Sequence, residues 1–225
     1  DNLRFFLKHG VLGNDDYHYN FVINGHECSV DIPELDNVSI IKRDNVGYDF
    51  GAYGASLESA EVNDYDYFIF INDTVRGPFL PTYIPSKITW VDMFLDKLDD
   101  KVKLVGPTMY GGPEEHPSLG FIVSHIQSMS FGIDRVAANL LLKTSVFSPP
   151  SIVKFDDTSA GEIDKVKYIL EHEVRMSTQL MSVGYSIKPF QLFGFDDSHP
   201  YGDINYEGRY FGTTLNPQEE MFIKT

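Results

Sequence analysis

The chain has 225 residues, with 33 acidic and 18 basic side chains and a formal net charge of −15. Such acidity repels phosphate backbones and anionic lipids, which excludes non-specific nucleic-acid binding and polybasic membrane attachment. It favours divalent cations instead, which can in turn hold an anionic ligand. Cys28 is the only cysteine, so no internal disulfide can form and a reducing compartment such as the cytoplasm is expected. No apolar run approaches the length of about 18 residues typical of a transmembrane helix, so no membrane insertion is expected.

The first 105 residues predict strands alternating with helices. Leu3–Leu7 is a short apolar run, and strands are predicted at Tyr19–Ile23, Val38–Ile41, Tyr67–Ile71 and Lys103–Val105. Helices are predicted at Ala52–Leu57 and Trp90–Leu98. This alternation favours an α/β domain with a mostly parallel sheet. Because ligands bind beyond the carboxyl ends of such strands, Asn45–Asp49 and Asn72–Arg76 are expected on one rim if both preceding strands belong to the sheet.

The second half has a different pattern. Gly106–Gly120 is too rich in Gly and Pro for a regular element. Short strands are predicted at Phe121–Val123, Ser128–Phe131 and Tyr185–Ile187, and helices at Asp134–Leu142 and Ile163–Val183. Gly184 is a natural stop for the second helix. The tail from Gly194 onward is predicted to be a loop.

The segment FIFINDTVRGPF, residues 68–79, carries the first candidate site. A buried strand delivers Asp73 to the sheet edge, where its carboxylate can bind a divalent cation beside the neutral Asn72. The fork of Arg76, three residues later, suits a phosphate. Asx residues at strand ends also cap the following turn through side-chain hydrogen bonds, and this alternative stays open.

The segment RDNVGYDFGAYGASL, residues 43–57, is the second candidate. Gly47, Gly51 and Gly54 let the backbone approach a ligand closely. Tyr48 and Asp49 can contact a ribose or a sugar. The spacing matches neither the dinucleotide-binding nor the phosphate-loop glycine pattern.

Four segments occur in a characteristic order: NVGYDFGAYGASL, YDYFIFINDTVRGPFLP, KLVGPT and HIQSMSFGIDR. With them, roughly residues 38–188 resemble the rhamnan-synthesis type of glycosyltransferase, which is similar to the GT-A class of nucleotide-sugar transferases. Related enzymes glycosylate the capsids of large algal viruses. The resemblance implies one GT-A-like domain over residues 1–225, with a nucleotide-binding half at 1–105 and a donor-sugar and acceptor half at 106–225. It also implies a three-layer α/β sandwich whose central mixed, mostly parallel sheet is flanked by helices. The start at Asp1 suggests a piece of a longer protein.

The resemblance also implies a metal, because GT-A enzymes hold Mn²⁺ or Mg²⁺ and the donor diphosphate with an Asp-x-Asp motif at a strand end. Here the place is Ile71-Asn72-Asp73, which departs from the motif in having one carboxylate. Asp73 is therefore the expected ligand. His199 of the C-terminal region is the expected second ligand, with Asp196 and Asp197 as rivals and a solvated loop as the alternative.

The expected general base comes from the long C-terminal helix. Inverting GT-A members often carry Glu-Asp, with Gly and an aromatic residue following eleven positions after the Asp. Counting back from Gly184-Tyr185 reaches Glu173, the first candidate, although His172-Glu173 replaces Glu-Asp. Asp134 is the second candidate. A solvated helix charge and a helix N-cap are the alternatives for Glu173 and Asp134 respectively.

The implied reaction is a metal-dependent transfer from a nucleoside-diphosphate sugar, UDP-linked as in the class, to a hydroxyl of a glycan or glycoprotein acceptor, with inversion. If the chain is viral, the compartment is the host cytoplasm. The expected donor-site residues are Asn45, Gly47, Tyr48, Asp49, Asn72, Asp73, Arg76, Gln127 and Ser128, and His125 is expected to line the sugar site. The alternatives are a non-catalytic nucleotide-sugar or carbohydrate-binding module, and a metal-dependent phosphohydrolase. The phosphohydrolase would need more clustered ligands near Asp73 than the sequence offers.

Overall fold

The computed structural model describes residues 1–112, 114–116, 120–148, 165–190 and 220–225. The α-helices in this part of the chain are α1 (Asn2–His9), α2 (Tyr48–Ser59), α3 (Trp90–Leu95), α4 (Arg135–Lys143) and α5 (Arg175–Ser182). Residues 165–168 are helical, and a π-helical turn, Ile169–Val174, joins them to α5. A short 3₁₀ turn occupies Val62–Asp64.

The strands in the same residues are mostly short. They are β1 (Tyr19–Asn24), β2 (Val38–Arg43), β3 (Tyr67–Ile71), β4 (Val75–Arg76), β5 (Val102–Gly106), β6 (Met109–Tyr110), β7 (Glu114–His116), β8 (Gly120–Ile122), β9 (His125–Ile126), β10 (Ser130–Asp134), β11 (Ser186–Pro189) and β12 (Ile223–Lys224).

The main sheet has four strands in the order β11-β5-β10-β3. Strand β11 runs parallel to β5, whereas β10 is antiparallel to both β5 and β3. Strands β1 and β2 form a separate parallel pair. The α/β class and the mixed sheet are therefore confirmed, but antiparallel pairing predominates in the described residues. The reason is that β10, from the second half of the chain, inserts between two strands that the simple alternation would make neighbours.

The side chains on the two faces of this sheet pack into two separate hydrophobic cores. Phe70 and Leu104 face a core with α2, α4 and α5, whereas Val105 faces a core with α3 and the C-terminal Phe222. Helices thus cover both faces. Successive residues of a strand point to opposite faces, so the side chains of Tyr67–Ile71 alternate between the two cores. This explains why the whole run is apolar. A full GT-A sandwich around a mostly parallel sheet stays a prediction.

Several element boundaries differ from the predicted ones. The apolar run Leu3–Leu7 lies in helix α1, whose N-cap Asp1 accepts a hydrogen bond from a backbone N–H. Helix α2 begins at Tyr48, four residues before the predicted Ala52–Leu57. The segment Gly106–Gly120, predicted to be irregular, contains β6 and β7, which pair with β9 and β8. The tail predicted as a loop ends in β12, and its residues 194–219 lie outside the described part.

Candidate functional site

A tight turn joins β2 to α2 and fixes the start of that helix. Gly47 is left-handed, with φ of 72°, and Tyr48 also has a positive φ of 44°. The Arg43 guanidinium donates to the Val46 carbonyl and to the Asn24 side chain, each at 2.6 Å. The Tyr168 hydroxyl donates to the Gly47 carbonyl at 2.6 Å. The first turn of α2 is therefore held from both halves of the chain.

The end of β3 meets this turn through one side-chain contact. Asn72 Nδ2 donates to Asp49 Oδ2 at 2.7 Å, and Asn72 Oδ1 accepts from the Thr74 N–H at 3.1 Å and the Thr74 hydroxyl at 2.6 Å. The capping role that Asx residues take at strand ends is therefore confirmed for Asn72. The same side chain brings the two candidate motifs together, although β2, which precedes Asn45–Asp49, pairs with β1 in a sheet separate from that of β3. The two segments, here called the rim, therefore meet through this contact and not as the ends of strands in one sheet.

Asp73 and Arg76 follow on the same turn but have different surroundings. The Asp73 side chain is exposed and accepts no hydrogen bond from the described residues, whereas its carbonyl accepts one from Asn2 Nδ2 at 2.8 Å. Arg76 lies against α1, where its Nε donates to Asn2 Oδ1 at 3.1 Å and its guanidinium lies 6.0 Å from the Phe5 ring centroid. Asn2 thus links the two charged residues.

The rim carries a concentration of negative charge. Burial raises the pKa of Asp49; the hydrogen bond from Asn72 lowers it, and the nearby Asp73 and Glu173 carboxylates raise it further. Burial, together with the Asp49 and Glu173 carboxylates, raises the pKa values of the Tyr53 and Tyr168 hydroxyls. The phenols therefore act as hydrogen-bond donors, and a cation would relieve the repulsion among the carboxylates.

Glu173 projects from the π-helical turn into the same region. Its Oε2 accepts hydrogen bonds from both the backbone N–H of Ser128, at 2.9 Å, and the Ser128 hydroxyl. The Ser128 carbonyl in turn accepts from the Tyr53 hydroxyl at 2.9 Å. The Glu173 side chain keeps 20% of its surface exposed. It is therefore an oriented, partly accessible carboxylate rather than a freely solvated helix charge.

His125 is buried on the other side of Glu173. Its Nε2 lies 3.5 Å from Glu173 Oε1, and its ring stacks on Tyr110 with centroids 5.1 Å apart. Burial raises the pKa of Glu173, but hydrogen bonding and charge from His125 and the two bonds from Ser128 outweigh it, so the net shift is downward. Glu173 is accordingly ionised near neutral pH.

Asp134, the second candidate for the base, lies apart from this group. Its Oδ1 accepts from the Ala137 N–H at 2.9 Å as the N-cap of α4, and its Oδ2 pairs with Lys103 Nζ at 2.6 Å. In the sheet Asp134 is opposite Tyr67, the first residue of β3, whereas Asn72 follows the last. The helix-cap alternative is therefore confirmed for Asp134, and the structure does not bring it to the rim.

In the described part of the chain, the contacts of the remaining expected site residues do not assign them a role in binding. Asn45 is exposed in the β2–α2 turn, and Gln127 is buried, with its backbone N–H donating to the Thr108 carbonyl at 3.2 Å. His199, Asp196 and Asp197 lie outside the described residues. Ser128 is present at the rim, but its hydroxyl is engaged by Glu173.

Sequence reasoning missed two tyrosines that hold the site together. Tyr168 bonds the turn before α2 and also accepts from the Phe50 N–H at 3.2 Å, and Tyr53 bonds the segment that carries Ser128. Both tyrosines lie in helical segments among buried apolar residues, a pattern that is typical of ordinary core residues. Their hydroxyls were the available signal, since buried Tyr usually finds a hydrogen-bond partner.

The oxygen ligands at the rim suit a hard divalent cation such as Mg²⁺ or Mn²⁺. The Asp73 carboxylate is accessible, and that of Asp49 is close enough to interact with it. The described residues contain no group of three or more His, Cys, Asp or Glu side chains placed to hold a metal. The described protein ligands fit a cation that takes the rest of its coordination from a bound phosphate and water.

Comparison with known proteins identifies the family. The family model "RgpF: Rhamnan synthesis protein F" matches residues 21–206, which include both turns of the rim and Glu173. No curated protein matches the chain. None of the described helices is long and apolar enough to cross a bilayer. The membership indicates a role in glycan synthesis, whereas the kinship with GT-A enzymes and with viral transferases stays a prediction. The match covers most of the sequence, and the chain therefore belongs to the rhamnan synthesis protein F family.

Proposed function

We propose that this chain is a metal-dependent glycosyltransferase that moves a sugar from a nucleoside-diphosphate sugar, with uridine as the expected nucleotide, to a hydroxyl of a glycan acceptor. The observation that carries the proposal is the contact between Asn72 and Asp49, which joins the two motifs of the family resemblance into one acidic rim. Glu173 is oriented at the same place. Family membership supplies the link to sugar chemistry.

The donor is expected to bind across the two turns. Backbone at Gly47 and Tyr48 lies at the amino end of α2, where helix N–H groups favour a negative ligand. Asp73, with His199 as a further candidate, would hold Mn²⁺ or Mg²⁺, which when bound offsets the charge that develops on the leaving diphosphate. Arg76 is the candidate to neutralise a phosphate from the α1 side, and Asn2 orients its guanidinium.

Glu173 is the candidate general base. Its carboxylate is ionised and held by Ser128, which is the form that accepts the proton of the acceptor hydroxyl as that oxygen attacks the anomeric carbon. Direct attack on the side opposite the leaving diphosphate inverts the anomeric centre. Asp134 is not part of this scheme because both of its carboxylate oxygens are engaged far from the rim.

The first experiment tests donor and metal binding. A thermal-shift screen of nucleotides and nucleotide sugars, with and without Mn²⁺, should find a ligand that stabilises the chain only when metal is present. Asp73→Ala should abolish that metal-dependent binding in calorimetry, whereas Asp15→Ala, which removes an exposed carboxylate elsewhere, should not. Unchanged Mn²⁺-dependent affinity in Asp73→Ala would exclude the metal assignment.

The second experiment tests transfer. Glu173→Gln should keep donor affinity and lower turnover by at least about 100-fold, the usual contribution of a general base. Glu171→Gln is the matched control, because Glu171 lies on the same turn and is exposed. Full activity in Glu173→Gln would remove Glu173 from the mechanism.

A non-catalytic module that binds nucleotide sugars is the second candidate function. The single carboxylate at Ile71-Asn72-Asp73, where GT-A enzymes carry two, favours it. Donor binding without transfer to any acceptor and without donor hydrolysis, by the purified chain with Mn²⁺, would support the module and contradict the enzyme.

A further inference from the structure

The buried ring of His125 has a defined proton on one nitrogen. Its Nδ1 lies 2.8 Å from the Val123 carbonyl oxygen. A carbonyl can only accept a hydrogen bond, so Nδ1 carries a hydrogen and donates it. The tautomer of the ring is therefore set by the backbone of the residue two positions earlier.

The second ring nitrogen faces a carboxylate. Nε2 of His125 lies 3.5 Å from Glu173 Oε1, and only 3% of the His125 side chain is exposed. An unprotonated Nε2 would direct its lone pair at a negative oxygen in a poorly solvated place, which is unfavourable. A proton on Nε2 would instead make this contact an ion pair.

The hydrogen bonds to the other oxygen of Glu173 indicate which of the two side chains would hold such a proton. Oε2 accepts two hydrogen bonds from Ser128, one from the backbone N–H and one from the hydroxyl. Two donors on one carboxylate favour its ionised form. A proton in this contact would consequently reside on the imidazole, which would make the pair an imidazolium and a carboxylate.

The same contacts distinguish the two oxygens of Glu173. Each carboxylate oxygen can accept about two hydrogen bonds. Oε2 is filled by Ser128, whereas the described residues place only His125 on Oε1. Because part of the Glu173 side chain is exposed, Oε1 is the oxygen with room for a proton from outside.

We propose that His125 is a positioning residue whose imidazolium keeps Glu173 ionised and directs Oε1 toward the acceptor hydroxyl. This inference rests on the proposed function and adds a residue to it. In the step, the acceptor proton moves to Oε1 as the acceptor oxygen bonds to the anomeric carbon. The bond from that carbon to the diphosphate oxygen breaks, and its electron pair leaves with the diphosphate. His125 keeps both ring protons.

The charges around the pair agree with this assignment. Asp49 and Tyr53 from α2 and Tyr168 from the helical segment before Glu173 interact electrostatically with Glu173, and Asp73 from the turn after β3 interacts with Asp49 and Tyr53. The two aspartates add negative charge on the side of Glu173, which favours a cation in this region. The face of Tyr110, from β6, stacks on the His125 ring at an interplanar angle of 12°, an arrangement that also suits a cationic ring. In the described residues no Lys or Arg contacts Glu173 within ion-pair distance.

The protonation state can be measured without any enzymatic assay. In ¹⁵N spectra of the chain labelled at histidine, assigned with His125→Gln, both ring nitrogens of His125 should carry protons at pH 7.5. In Glu173→Gln the same ring should become neutral, with Nε2 unprotonated. A neutral His125 in the unmodified chain at pH 7.5 would overturn the proposal, whether or not transfer is ever detected.

The effect on Glu173 provides the second readout. In His125→Gln the ¹³C titration of the Glu173 carboxyl should move to higher pH by about 1 unit, because a cation within a few ångströms lowers a carboxyl pKa by that order. The acidic limb of the kcat profile should move by the same amount. His26→Gln is the matched control, since His26 pairs with Asp44 at 2.9 Å on the exposed surface.

The possible results distinguish the pairing of His125 with Glu173 from the proposed glycosyl transfer. An imidazolium and a shifted Glu173 titration, with no transfer to any acceptor, would support the pairing and contradict the proposed function. Transfer with an unshifted Glu173 titration in folded His125→Gln would support the function and contradict the role of His125. If His125→Gln does not fold, the His125 ring signals are assigned by through-bond correlation to the backbone, and the ¹⁵N comparison of the unmodified chain with Glu173→Gln still decides.

Discussion

At the scale of single residues, Asp49 combines a cost in stability with a place in the candidate site. Its carboxylate accepts from Asn72, but burial and two nearby carboxylates raise its pKa. A raised pKa means that the folded state disfavours the ionised form relative to the unfolded chain. Such a cost is typical of residues retained for binding rather than for folding.

We therefore predict that Asp49→Asn is more stable than the unmodified chain at pH 7, measured as the free energy of unfolding in urea. An Asn oxygen can still accept from Asn72, whereas the charge is gone. The advantage should shrink as the pH falls through the folded pKa of Asp49 toward the unfolded value near 3.8, because the native side chain then becomes neutral as well. Mn²⁺-dependent donor binding should weaken in the same variant. Lower stability at pH 7 would contradict the burial argument.

His172 is a second buried group whose charge matters. Its Nδ1 donates to the Val146 carbonyl at 2.7 Å, and its Nε2 has no partner among the described residues. The ring contacts those of both Phe50 and Tyr168. Burial lowers its pKa below 6.5, so the unfolded chain binds a proton at a pH where the folded state does not.

The stability contributed by neutral His172 is therefore present above about pH 6.5 and is lost as the pH falls below that value. We predict that the unfolding free energy declines between pH 7.5 and 5.5, and that the decline is smaller in His172→Asn. The measurement is urea unfolding at both pH values. Because the other histidines are common to both proteins, equal declines would show that His172 does not titrate differently on folding.

At the scale of elements, helix α2 depends on close backbone approach. A Cβ at Gly54 would lie 2.1 Å from the Phe147 carbonyl oxygen, and a Cβ at Gly51 would lie 2.2 Å from the Val46 carbonyl oxygen. Glycine therefore lets α2 contact both the preceding turn and the segment after α4. Two of the three glycines that the sequence indicated for ligand approach, Gly51 and Gly54, therefore allow close packing of the chain on itself.

We predict that Gly54→Ala loses about 1–3 kcal/mol of unfolding free energy, the usual cost of overpacking, although alanine favours helices. Gly13→Ala is the control, because nothing lies within 4 Å of a Cβ at Gly13. Thermal or urea unfolding of both variants gives the comparison. A Gly54→Ala variant as stable as the unmodified chain would mean that α2 can move away from Phe147 without cost.

At the scale of the whole molecule, the two ends of the chain meet beside the candidate site. The Asn2 side chain bonds the Asp73 carbonyl and the Thr225 hydroxyl, each at 2.8 Å, and the Thr225 N–H donates to the Thr74 carbonyl at 2.9 Å. Strand β12 pairs with β4, and Phe222 is buried against Trp90 and Phe94. The turn that carries Asp73 is therefore supported by residues from both ends of the sequence.

We predict that Phe222→Ala loses about 3–5 kcal/mol of unfolding free energy, the usual range for a buried Phe. It should also weaken donor binding, because the support of the β3–β4 turn is loosened. Lys224→Ala, at an exposed position of β12 two residues after Phe222, is the control. Urea unfolding and calorimetry measure the two effects, and unchanged stability of Phe222→Ala would exclude a structural role for the buried Phe222 side chain.

Some parts of the candidate site could be predicted from the sequence and others could not. The meeting of Asn45–Asp49 with Asn72–Arg76 was expected for two strands of one sheet. The contact between Asp49 and Asn72 brings the segments together, but β2 and β3 lie in different sheets. The two possible roles of Asp134, helix cap and general base, could not be distinguished from the sequence, because an acidic side chain just before a helix suits either role. Its bonds to Lys103 and Ala137 confirm the cap.

The sequence by itself determined the local elements and the family. Buried apolar runs such as Tyr67–Ile71, the glycine stop at Gly184 and the family motifs depend on residues that are neighbours in the chain. Only the tertiary structure decided the sheet order and the partners of Glu173. Strand β10 lies between β3 and β5, and His125 and Ser128 reach Glu173 across 45 or more positions. Such contacts are selected by the packing of the whole core, which no local pattern encodes.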